Sequence, residues 1–249
     1  MLVSALPIPF RNSCPILPLT CVEVDYQIGT TVLLEALSFT LSAGGPTVIL
    51  GPNGAGKTLA LKLCHGLINP TRGTLRWSDA AHDMPGRQAM VFQRPVMLRR
   101  SVAANIEYGL AVHKVPAPQR AERVKTMLEL TGLVALAGRS ARVLSSGEQQ
   151  RLALARAWAM QPEVLFLDEP TANLDPAATS AVEELIIAIA ATGTKVVLST
   201  HDLQQARRFA AQILFLHRGR LLESSAADDF FKQPRSAAAT AFLRGELWW

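Results

Sequence analysis

Eight residues limit what this chain can fold into more than any other stretch: Gly51-Pro52-Asn53-Gly54-Ala55-Gly56-Lys57-Thr58. They fit glycine, four free positions, then Gly-Lys-[Ser/Thr], the pattern of a phosphate-binding loop. Gly54 and Gly56 let the backbone close on an anion with no Cβ in the way. The flanks agree. Pro46 to Leu50 is a short apolar run of the kind that forms a buried parallel strand. Leu59 to Leu67 has helix-forming residues with apolar spacing. A strand that turns through glycine into a helix start aims backbone N–H groups at an anion. In that geometry Lys57 reaches β- and γ-phosphates and Thr58 offers its hydroxyl to Mg²⁺.

The remaining pattern builds an α/β protein around that loop. Thr20 to Tyr26, Val32-Leu33 and Leu37 to Leu41 alternate as strands, and Thr74 to Trp77 adds another. Ser78 to Gln88 reads as a polar loop, and Ala89 to Phe92 as a buried strand ending on Gln93. Ser101 to Leu110, Gln119 to Thr131 and Ser146 to Met160 carry helical spacing, with Pro116 and Pro118 breaking the first from the second. The α/β pattern then returns: strand Val164 to Leu167, helix Pro176 to Ala191, strand Lys195 to Ser199, helix Gln204 to Ala211 and a hairpin over Ile213 to Leu222. Residues 226–249 read as a helical tail. With 49% hydrophobic residues in 249, the chain has material for a full core.

Composition narrows the partners. The net charge of +5 is a mild excess without a long basic run, which argues against a dedicated nucleic-acid surface. Cys14, Cys21 and Cys64 have no metal spacing and read as reduced thiols. No apolar run is long enough to span a bilayer. Residues 1–19 are apolar but carry Pro7, Pro9, Pro15 and Pro18 with Arg11 among them, so they read as a loose extension and not a signal peptide.

Several residues gain meaning from the loop. Asp168 ends an apolar strand, where a carboxylate can hold Mg²⁺ across from Thr58. Glu169 follows; strand alternation places its side chain on the opposite face, free to serve as general base for a water at the γ-phosphate. Gln93, at another strand end, is a neutral amide suited to Mg²⁺ or water. His201, after the strand from Lys195, is placed to hold Glu169 and that water. Tyr26 reads either as an adenine-stacking aromatic or as a half-buried strand tyrosine, with Ile28 in a competing register. In Leu144 to Arg151, Ser145 is a fitting N-cap and Glu148 completes a capping box. A helix start of that kind is also an anion site.

Taken in order, the phosphate loop, Gln93, Leu144 to Arg151, Leu165 to Pro170, Ala172 to Asp175 and Ser199 to Asp202 resemble the ATP-binding cassette family of transporter ATPases, over about residues 20–222. The resemblance implies a RecA-like P-loop NTPase core over 20–93 and 162–224, including an antiparallel β subdomain. It also implies an inserted α-helical subdomain over 94–161 and a tail over 225–249. It implies ATP and Mg²⁺ as ligands. It further implies a head-to-tail dimer in which Gly51, Pro52, Asn53, Gly54, Ala55, Gly56, Lys57 and Thr58 face the partner's signature segment, matched here by Ser145, Ser146, Gly147 and Glu148. By the same resemblance Asp168 and Glu169 match the Walker B aspartate and catalytic glutamate. Gln93 matches the Q-loop, Asp175 the D-loop, His201 the switch histidine and Tyr26 the adenine-stacking residue. Ser146 and Glu148 depart from the family's usual Leu-Ser-Gly-Gly-Gln. The tail and the segment from Phe92 to Arg100 resemble importer ATPases for oxyanions, the tungstate type most, with phosphate and molybdate types as relatives. A separate membrane permease, a substrate-binding protein and a place on the cytoplasmic face of the membrane are then expected. A cassette of an exporter, a lipoprotein or cell-division complex, or a soluble cassette acting on DNA or the ribosome are the other readings.

Overall fold

A computed structural model describes residues 14–79 and 87–246. The chain opens with a hairpin of β1 (Leu19–Ile28) and β2 (Thr31–Leu41), then enters β3 (Thr47–Leu50), which leads through the glycine loop into helix α1 (Lys57–His65). β4 (Arg72–Trp77) returns beside β1, giving a three-stranded antiparallel sheet in the order β2-β1-β4. β5 (Gln88–Val91) is followed by three helices, α2 (Val102–Val112), α3 (Ala117–Leu130) and α4 (Ser146–Trp158). Next come β6 (Val164–Asp168), α5 (Pro176–Ala191), β7 (Lys195–Thr200), α6 (Leu203–Phe209), the hairpin β8 (Gln212–His217) and β9 (Arg220–Ala226), and two short helices, α7 (Ala227–Lys232) and α8 (Ala237–Leu243).

The second sheet has six strands in the order β5-β6-β7-β3-β8-β9. Its first five strands are parallel, and β9 is an antiparallel edge. Side chains on a strand alternate between faces, and here that alternation sorts the residues into two cores. Val48, Leu50, Leu165, Leu167, Val196, Leu198, Ile213 and Phe215 face one way, into a core completed by α2 through α8. Ile49, Val164, Phe166, Val197, Leu214 and Leu216 face the other, into a core shared with α1 and the antiparallel sheet. Each fully buried Val, Leu, Ile or Phe contributes about 1.5–3 kcal/mol relative to exposure. A slip of one residue would exchange the two sets, so both cores oppose it.

Three expectations change. β2 is one continuous strand where the sequence suggested two pieces. The break between α2 and α3 falls before Ala117 with Pro116 as the N-cap, but Pro118 lies inside the first turn of α3 and not in the break; there its missing N–H has no intrahelical partner to lose. The segment expected to be loose through residue 19 is packed from residue 14 onward: Ile16 is fully buried and its N–H donates to Glu163 Oε2 at 3.2 Å. Residues 1–13 of that extension, the middle of the polar loop before β5, and Leu247-Trp248-Trp249 lie outside the described residues.

Candidate functional site

The carboxyl ends of β3, β6 and β7 open on a polar cleft of about 600 Å³ lined by Asn53, Thr58, Gln93, Glu169, Asn173 and His201, among others. Ligands of open parallel sheets bind at such an end. The cleft exists because each of these strands stops at a polar residue or glycine after an apolar run, so the backbone turns there and releases side chains from the core.

The loop after β3 depends on two glycines in different ways. A Cβ on Gly51 would run into the Leu216 carbonyl oxygen, so the loop can lie this close to β8 only with no side chain. Gly56 caps α1 in the left-handed region at φ +99°, where a side chain is strained. Lys57 is the first helical residue and is 5% exposed. Its ammonium donates to the carbonyl oxygens of Gly51 at 2.9 Å and Pro52 at 3.1 Å and lies 3.2 Å from Glu169 Oε1. A buried ammonium is costly unless it is paired, and these contacts hold it over the loop.

Thr58 and Asp168 meet directly: Thr58 Oγ1 lies 2.9 Å from each carboxylate oxygen. Asp168 is 5% exposed and also accepts from Ser199 Oγ at 2.7 Å. Ser199 is paired with Asp168 in the β6–β7 register. Its hydroxyl accepts the Glu169 N–H at 3.0 Å, and its carbonyl accepts the same N–H at 3.2 Å. One fully buried hydroxyl therefore orients both acidic residues.

Glu169 is not a continuation of the strand. It lies one residue past β6 with φ +42°, a conformation that costs a non-glycine residue of order 1–3 kcal/mol. The side chain reaches its place through this turn, which a hydrogen bond from the Ala172 N–H to the Glu169 carbonyl oxygen closes at 3.1 Å, and not through pleat alternation. One carboxylate oxygen faces Lys57, and the other lies 3.3 Å from His201 Nδ1. His201 is half-exposed and precedes α6, which Asp202 caps by accepting the N–H groups of Gln204 and Gln205.

Oxygen donors of this set suit a hard cation: the Thr58 hydroxyl and Asp168 carboxylate touch, and the Gln93 amide lines the same cleft. Among the described residues no group of three His, Cys, Asp or Glu could form an all-protein cage. Mg²⁺ commonly takes one or two protein ligands and completes its shell with phosphate oxygens and water, and these residues fit that use.

The other predicted residues lie elsewhere. Ser145 to Glu148 do not line this cleft. They form the start of α4, where the expected capping box is present: Glu148 N–H donates to Ser145 Oγ at 3.3 Å and Ser145 N–H to Glu148 Oε2 at 2.8 Å. Ser145 and Ser146 are exposed, while Gly147 is buried. The hydrogen bond from the Ser145 N–H, more than the nearby Arg151 and Arg139, holds the Glu148 carboxyl below the usual carboxylate range. Asp175 caps α5, accepting the Ala178 N–H at 2.8 Å, and is exposed. Tyr26 packs half-buried against the core under the antiparallel sheet, across from Leu34. Ile28 is 61% exposed at the end of β1.

Sequence reasoning quoted Ser199 inside a motif without giving it a task. A serine in a run of buried aliphatics, one residue before the strand end, was the available signal. It also missed an apolar groove of about 360 Å³ beside Gln93, lined in part by Met90, Phe92, Val96, Tyr108, Val112 and Met160. Phe92, Val96, Tyr108 and Val112 are exposed.

Residues 34–172, more than half of the chain, match the family described as ABC transporter. The chain is 35% identical to "Phosphate import ATP-binding protein PstB 2" of Natronomonas pharaonis over 242 residues, covering 90% of this chain and 85% of that one. It is 36% identical to "Tungstate uptake system ATP-binding protein TupC" of Peptoclostridium acidaminophilum over 215 residues, covering 86% and 99%. Among solved structures it resembles cbiO1 from Clostridium perfringens, described as part of the ABC transporter complex cbiONQ, with a TM-score of 0.77 at 27% identity over 86% of this chain and 90% of that one. A phosphate loop whose threonine meets the aspartate of β6, with a glutamate beside it, is thus joined to a family match across that same stretch, and the chain belongs to the ABC transporter ATPases.

Proposed function

We propose that this chain is the ATP-hydrolysing subunit of an ABC importer and works on a separate membrane permease. The observation that carries the hydrolytic part is the convergence of Lys57, the Thr58–Asp168 pair and the Glu169–His201 pair in one cleft. In this reading the loop from Gly51 to Thr58 binds the phosphates of ATP. Thr58, Asp168 and Gln93 would hold Mg²⁺, which would supply positive charge against the phosphates. Glu169 takes a proton from the attacking water, and His201 keeps the carboxylate aimed at it. Lys57, held 3.2 Å from Glu169, moves to the phosphate charge when that charge arrives. Tyr26 or the more exposed Ile28 takes the base. Ser145, Ser146, Gly147 and Glu148, together with Asp175, complete the site of a second copy in a head-to-tail dimer. The exposure of Ser145, Ser146 and Asp175, away from their own chain's cleft, supports this.

The groove beside β5 supports a permease contact. Phe92 lines it and the next residue, Gln93, lines the cleft, so a load on the groove is felt one residue from the reacting centre. An apolar cytoplasmic segment of the permease would fit there. Among the described residues no helix is long and apolar enough to cross a membrane. In this reading the chain acts at the cytoplasmic face through that partner. A small anion is the transported species, with a tungstate-type oxyanion preferred over phosphate from the tail and the compact segment after Phe92. A soluble substrate-binding protein would deliver it.

The test is affinity purification of the full chain from detergent-solubilised native membranes, with copurifying proteins identified, followed by competitive uptake of tungstate and phosphate into cells that carry or lack the gene. A multi-spanning permease and lost oxyanion uptake are expected. Recovery of ribosomes, DNA or soluble proteins without a permease would overturn the transport reading.

A further inference from the structure

Behind the cleft a hydrogen-bond chain, buried at Gln205 and Glu183, joins α5 to α6 and ends on a side chain that lines the cleft. Glu183, halfway along α5, is 9% exposed. Arg208 of α6 holds its carboxylate through Nε at 3.1 Å and Nη2 at 2.6 Å. Gln205, one turn earlier and 1% exposed, donates through Nε2 to Glu183 Oε1 at 3.2 Å and to Thr171 Oγ1 at 2.7 Å. The amide nitrogen must lie on this side, because an ionised carboxylate accepts and never donates. The hydrogen bond to Glu183 raises the pKa of the Arg208 guanidinium above its ordinary value, and that group is charged in any case. Both amide protons are then used. The Thr171 oxygen therefore accepts, and its own proton is left to donate elsewhere.

This arrangement is poor for stability alone. Gln205 Oε1 is buried with no hydrogen-bond partner among the described residues. An unsatisfied buried acceptor costs free energy that a methionine of similar size would not incur. What the amide does achieve is a connection. Thr171 lies in the turn that begins at Glu169, and it lines the cleft. Gln205 lies four residues after His201, on the helix that Asp202 caps. The bond from Gln205 to Thr171 therefore ties the strained turn carrying Glu169 to the element carrying His201, and Glu183 with Arg208 anchors the tie on α5.

We propose that Gln205 is a positioning residue for ATP hydrolysis: through Thr171 it fixes the Glu169 turn against the His201 turn, so that the carboxylate and imidazole stay in contact during turnover. This rests on the assignment of Glu169 and His201 proposed above.

The test is a double-mutant cycle on steady-state hydrolysis by the full chain, with kcat and KM for ATP measured for Gln205→Met, Thr171→Val and both together, and thermal melting run in parallel. Each single variant is expected to lower kcat about ten-fold with KM within about two-fold of the parent, as for loss of a contact that acts in the transition state. The double variant should be no slower than the worse single one. Thr171→Ser, which keeps the accepting oxygen, should recover turnover relative to Thr171→Val, and this comparison decides the matter if Gln205→Met does not fold. Unchanged kcat in the singles, or losses that multiply in the double, would overturn the proposal. Glu169→Gln is assayed beside them. Full turnover in that variant overturns the Glu169 assignment itself, whereas its loss together with normal kcat in Gln205→Met overturns the role of Gln205 alone.

Discussion

Removing the Ser199 hydroxyl tests whether Asp168 and Glu169 are oriented from β7. Ser199 is fully buried and donates to Asp168 Oδ1 at 2.7 Å. Hydrogen bonds to charged groups contribute about 1.5–3 kcal/mol. In Ser199→Ala the Glu169 N–H is not orphaned, because it keeps the Ser199 carbonyl at 3.2 Å, and Asp168 keeps Thr58. The expected loss is therefore near the middle of that range, about 2 kcal/mol. Unfolding entropy runs at about 2.1 cal/mol/K per residue, or roughly 0.5 kcal/mol/K for 249 residues, so the melting temperature should fall by about 4 °C. Calorimetry and urea unfolding on the full chain measure it, with the urea slope unchanged because the exposed surface is unchanged. A variant melting within about 1 °C of the parent would refute the assignment of that energy to the Ser199–Asp168 bond.

The capping box gives two further expectations. Ser145→Ala removes the acceptor of the Glu148 N–H and should cost about 1 kcal/mol in urea unfolding. Glu148→Gln keeps both halves of the box but loses the charge. The Glu148 carboxyl is held below its ordinary range in the folded chain, so its contribution is full above the unfolded pKa of about 4.3 and fades as pH falls through the lower folded value. The stability difference between parent and Glu148→Gln should therefore shrink between neutral pH and about pH 3, and a difference constant over that range would count against it.

The parts of the fold written in local pattern were legible. β3, β6 and β7 are short apolar runs closed by a polar residue or glycine, and α5 begins at Pro176 after a capping aspartate, so their ends could be read within a residue. Most candidate residues also sit at such ends, and this is why Lys57, Thr58, Asp168, Glu169, Gln93 and His201 could be named before their contacts were known. What local pattern does not carry is pairing across the chain. Ser199 acquires its task from lying in register with Asp168, 31 residues away. Residues 14–19 look unstructured beside their prolines, yet Ile16 meets Glu163, 147 residues on. Glu169 was placed by extending strand alternation one residue too far, when a left-handed turn intervenes. The Thr171–Gln205–Glu183–Arg208 chain draws on three separate elements, and none of its residues is unusual where it stands.

The most direct test of the account is phosphate release from ATP and Mg²⁺ by the parent chain and by Glu169→Gln, with equilibrium ATP binding measured on both. A carboxylate acting as general base contributes about 10²–10⁴-fold, so Glu169→Gln should bind ATP as the parent does while turnover falls at least about 100-fold. Equal turnover in the two proteins would contradict the central claim that Glu169, held between Lys57 and His201, is the base of this site.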